Sequence, residues 1–148
     1  MRKSLIWAFL LLLFLSACSH NGTSKPGQSD AKAAEQTALE FMTIYYNGSD
    51  EEAKAKFVKE RIHPDVQMIF SLGVSSDAGV KPFDDPAVVG SSEYVKDGEK
   101  GTVVLLKNSN GLERIVFFLE NKIAWVFNSD NTDPSFKESF DKMKASIK

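Results

Sequence analysis

One cysteine and two histidines are all the thiol and imidazole that this 148-residue chain has. A lone thiol cannot close an internal disulfide, so the fold must be held by its core. Zinc takes three or four nitrogen or sulfur ligands, and Cys18, His20 and His63 are not grouped to supply them. No metal or other cofactor is therefore expected. The stretch NSDNTD, 128–133, alternates oxygen side chains as a calcium loop does. It has Asp133 where such a loop needs glycine and Ser139 where it needs a bidentate glutamate. No glycine-rich phosphate loop and no serine-nucleophile motif is present. Eighteen Lys and Arg stand against twenty Asp and Glu, with no basic stripe interleaved with aromatics, which argues against nucleic acid as a partner. The unbroken apolar run at 5–15 would reach about 17 Å as a helix, short of the ~30 Å hydrocarbon core.

That run is nonetheless the sharpest signal. A positive head, Met1-Arg2-Lys3, precedes it, and small residues, Ser16 and Ala17, follow it. This is the pattern of a secretory signal peptide, apolar all round where a core helix would keep a polar face. Leu15-Ser16-Ala17-Cys18 resembles the lipobox of bacterial lipoproteins. The resemblance implies cleavage between Ala17 and Cys18, with Cys18 becoming a lipidated first residue that carries a thioether-linked diacylglycerol. Each buried CH₂ contributes about 0.8 kcal/mol, so two acyl chains, of the palmitate kind, anchor durably where a single chain does not. The implied location is the extracytoplasmic side of a bacterial cell membrane, with the membrane itself a partner. Losing Arg2 and Lys3 with the leader leaves the remainder more acidic than the whole chain's net charge of −2.

The chain divides into a leader at 1–17, a polar spacer at 18–29 and a single α+β domain at 30–148. A helix is expected from an N-cap at Ser29 or Asp30, with Ala34, Ala38, Phe41, Met42 and Tyr45 on its apolar face and a left-handed cap at Asn47-Gly48. Ser49 and Glu52 suggest a capping box for a second helix that buries Ala53, Phe57 and Val58. Pro64 opens a third, with Val66, Ile69, Phe70 and Leu72 inward and Gly73 as its stop. The segment around 81–86 is too interrupted for regular structure. Four strands follow near 88–95, 102–107, 112–119 and 122–127, joined at Asp97-Gly98, Asn110-Gly111 and Glu120-Asn121 as an antiparallel meander. Asp133 and Pro134 open a last helix with Phe136, Phe140, Met143 and Ile147 on one face.

The third and fourth strands are apolar on both faces, with Ile123, Trp125 and Phe127 opposing Ala124 and Val126, so both faces of the sheet need cover. The N-terminal helices can supply one; the C-terminal helix or a second subunit supplies the other. Helices followed by a curved meander resemble the cystatin-like and nuclear-transport-factor-2-like domains, and ALEFMTIYYNGSDEEAKAKFV is similar to their opening. That resemblance implies a cone-shaped pocket between helices and sheet, which some relatives use for catalysis. Tyr45, Tyr46, Tyr94 and Trp125 are candidates to line it, and Asp65 or Glu113 to supply a carboxylate. Aromatics at helical spacing are more simply core, and fold carries no function by itself. The expectation is a membrane-anchored, non-catalytic binding or interaction module of the cell envelope, meeting a protein partner or a second copy through a sheet face. The alternative is a small-molecule enzyme or carrier that uses the pocket.

Overall fold

Alternation of apolar residues along four consecutive segments builds the centre of the molecule. In the computed structural model, which describes residues 28–74, 82–96 and 98–147, β1 (Ala87–Lys96), β2 (Glu99–Lys107), β3 (Glu113–Leu119) and β4 (Lys122–Asn128) pair antiparallel in chain order. Cys18, His20, Lys81 and Asp97 lie outside the described residues. The hairpins close as the turn residues predict. Gly98 and Gly111 have φ of 87° and 84°, and Glu120 and Asn121 take 49° and 61° between the paired Leu119 and Lys122. Those two residues form a two-residue loop with both centres left-handed, the geometry that matches strand twist.

Helices precede and follow the sheet, so the class is α+β. Helix α1 (Gln28–Glu40) already includes Ser29 and Asp30, which are helical residues and not caps. It runs into a π-helical turn, Phe41–Tyr46, where the Asn47 N–H reaches back five residues to the Met42 carbonyl at 2.9 Å. The Thr43 hydroxyl donates to the carbonyls of Leu39 and Glu40 at 3.2 Å where the ladder widens. The expected left-handed cap is therefore absent, with Asn47 at φ −93°. Gly48 serves another purpose: a Cβ there would stand 2.1 Å from the Ile44 carbonyl oxygen.

Helix α2 (Glu51–Arg61) is capped by Asp50, which accepts from the N–H groups of Glu52 and Ala53 at 3.0 Å, so the expected Ser49–Glu52 box does not form. A short 3₁₀ turn, Pro64–Val66, leads into α3 (Gln67–Val74). Val66 and Phe70 pack inward, whereas Ile69 and Leu72 are 54% and 74% exposed and Gly73 lies within the helix. One short helix can bury only one stripe, and it buries the one nearest Phe41. Helix α4 (Pro134–Ser146) begins as expected, with the Asp133 carboxylate accepting from Ser135 and Phe136.

Each sheet face has its own core. Val104, Leu106, Val116 and Phe118 meet Ala38, Phe41, Met42 and Phe57 of the N-terminal helices. Val103, Leu105, Ile115 and Phe117 meet Phe140 and Met143 of α4. A register shift between Phe117 and Phe118 breaks the expected alternation of β4. Ile123 turns to the N-terminal helices while Ala124 joins Phe127 beneath α4. The interrupted segment before β1 is anchored too. Phe83 is 1% exposed in the first core, and its backbone N–H and carbonyl both pair with the Asn47 side chain at 2.9 Å.

Candidate functional site

Two clefts open beside Trp125, one on each face of the sheet. The larger, about 450 Å³, lies beneath α4. Phe117, Leu119, Ala124, Trp125 and Phe127 form its floor, and Phe136, Met143, Ser135 and Ser139 form its roof. His63 and Asp65 stand at one end, 3.7 Å apart between Nδ1 and Oδ2. Its volume falls in the range of small-molecule sites, and its walls are apolar with a few hydroxyls, as such sites usually are. The tilted rings of Trp125 and Phe127 against Phe136 hold the cleft between two regular elements.

The smaller cleft, about 220 Å³, sits between the helices and the sheet, where the cone-shaped pocket was expected. Tyr45 and Trp125 are both in its lining. The Tyr45 ring stacks on Phe41 at 5.0 Å, and its hydroxyl donates to the Phe70 carbonyl at 2.7 Å. Burial raises the Tyr45 pKa, so the phenol stays protonated and the hydrogen bond holds across ordinary pH. Tyr46, Arg114 and Asn128 are in the lining as well.

The remaining candidates go elsewhere. Tyr94 is half-buried on the α4 face, edge-on to Phe117 at 6.1 Å, and lines neither cleft. Glu113 also lines neither; its carboxylate pairs with Lys144 of α4. The Asp65 side chain is 86% exposed. A carboxylate base raised by apolar burial needs a dry site without a cation, and neither residue has one. Among the described residues no three His, Cys, Asp or Glu side chains gather as metal ligands, and no helix is long and apolar enough to cross a membrane.

Comparison with models of protein families, with curated proteins and with solved structures finds no match for the chain. The residues themselves are then the whole case. Arg114 was not singled out from the sequence, although a lone cation inside IVFF-rich strand sequence, on the face that Val116 and Phe118 share, was the signal for it. Asn128 was weighed only as the first residue of the NSDNTD stretch and read as a turn, which carries no sign of an amide facing a cleft.

Proposed function

We propose that the chain is an exported, lipid-anchored binding module of a bacterial cell envelope that takes small apolar ligands without transforming them. The tether rests on the leader and on Cys18 at its boundary. The folded part is read as a domain of the cystatin-like or nuclear-transport-factor-2-like kind, on its order of elements. One observation carries the binding role: the cleft beneath α4 is walled by aromatic and aliphatic side chains and holds no buried carboxylate. Such a surface captures apolar groups by burial, at about 25 cal/mol per Å² removed from water, while its polar groups, His63, Asp65, Ser135 and Ser139, stand at one end and in the roof. The sheet face suggested for a protein partner or second copy is packed under α4, so the cleft at its edge is the accessible part.

The test uses N-phenyl-1-naphthylamine, an uncharged dye that brightens in apolar surroundings, titrated into the full chain in buffer free of detergent and lipid. Saturable brightening is expected. Phe136→Asp, which puts a carboxylate against the cleft, is expected to weaken it at least about tenfold. Equal brightening with that variant, or none with the unaltered chain, removes the cleft as a binding site.

A further inference from the structure

Arg114 is 7% exposed, and a guanidinium keeps its charge at any pH a protein meets. A buried charge is costly unless paired, so its partners matter. Among the described residues no carboxylate stands within ion-pair distance of it. What it has instead is soft. Its carbon lies 3.6 Å from the centre of the Tyr46 ring and 4.6 Å from that of Phe83. One nitrogen faces the Met42 sulfur at 3.7 Å, and another donates to the Tyr46 hydroxyl. Ring faces stabilise a cation by far less than a carboxylate at contact distance does, and they leave several of its five N–H donors without an oxygen.

The same side chain lines the cleft between helices and sheet. Its ladder partner on β4, Asn128, lines that cleft too and has an amide oxygen that is buried and without a hydrogen-bond partner. Among the described residues Arg114 is the only charged one of this lining, and Tyr45, Phe70 and Val126 stand beside it. The volume, about 220 Å³, corresponds to about seven waters' share of the liquid.

From this we infer that the helix-side cleft is a site for a small amphipathic carboxylate, one negative charge with a short aromatic or aliphatic tail. The carboxylate meets the Arg114 N–H donors, to which its planar fork is matched. The Asn128 amide oxygen is an acceptor, so it does not meet the carboxylate itself and is matched instead by a hydroxyl or N–H carried on the ligand. The tail lies against Tyr45, Phe70 and Val126. A doubly charged phosphate would leave the cleft with net negative charge and no second cation to balance it, so a monoanion fits where phosphate does not. This site is separate from the cleft beneath α4, and either reading can fail without the other.

Phenylacetate, hexanoate and the uncharged isostere phenylacetamide are titrated into the full chain, with the heat of binding measured by calorimetry as the readout. Saturable binding of phenylacetate or hexanoate is expected, and phenylacetamide is expected to bind at least about tenfold more weakly, the loss of one charge-assisted hydrogen bond. Arg114→Gln is expected to erase that preference. This comparison also marks the place, since a carboxylate held beneath α4 would be indifferent to Arg114. Should Arg114→Gln not fold, the carboxylate-to-amide ratio on the unaltered chain decides alone. No saturable binding of either carboxylate at millimolar concentration, equal affinity for the acid and the amide, or an unchanged preference in a folded Arg114→Gln variant overturns the inference.

Discussion

At the scale of single residues, Phe83 does the most against its surroundings in sequence. It sits between Pro82 and Asp84-Asp85, where nothing periodic announces a core position, yet it is almost wholly buried. Its ring fills the first core and faces Arg114, while its backbone is held at both polar groups by Asn47. Phe83→Ala is expected to cost about 3–5 kcal/mol in urea unfolding, the usual loss for emptying a buried phenylalanine site. A loss below about 1 kcal/mol would mean that the segment is not anchored there. Arg114 left a fainter mark in the sequence, a lone cation in an apolar strand, than its burial deserves. A charged residue beside Glu113 on a strand reads as the solvent side, but the pleat sends the two to opposite faces, one to Lys144 and one into the helix-side core. Which of two neighbouring charges is buried depends on which face each helix covers, and that is tertiary information.

At the scale of elements, strands and the last helix were legible, because turn chemistry and period two are local. Gly98, Gly111 and the Glu120-Asn121 pair stand at φ values their turns demand. Helix ends were read less well where several cap formers compete. Ser49, Asp50 and Glu52 all favour a helix start, and Asp50 takes it because its carboxylate reaches two N–H groups at once. The bulge in β4 left no local mark, so the orientation of Ile123 and Ala124 was not readable. Helix α4 offers a pH test. Hydrogen bonds from the Ser135 hydroxyl, the Ser135 N–H and the Phe136 N–H hold the Asp133 carboxyl below its ordinary range. A group depressed on folding contributes stability that is full above its unfolded pKa and is lost as pH falls through the folded one. The Ser135 and Phe136 amide shifts are therefore expected to titrate with a midpoint below that of a free aspartate, and Asp133→Asn should abolish the step. A midpoint at the ordinary aspartate value would contradict the cap.

At the scale of the whole molecule, the four-stranded sheet is enclosed by its own chain on both sides. The double-sided apolar pattern of β3 required this, and α4 covers the face that the N-terminal helices leave. Closure leaves Trp125 in the lining of two clefts, one mostly apolar and one with a buried cation. The four pocket candidates did not converge because alternate strand positions and two helical layers divide them. Tyr45 and Trp125 share the helix-side cleft, while Tyr94 and Glu113 go to the α4 side. In the function we propose, the domain's location comes from outside the fold, through a tether at Cys18. Intact-mass spectrometry of the protein taken from the membranes of its own cells tests that account most directly. The expected species begins at Cys18 and is heavier than the bare polypeptide by a diacylglycerol with any further acyl chain. A chain that still carries residues 1–17, or one that begins at Cys18 with a free thiol, would contradict it.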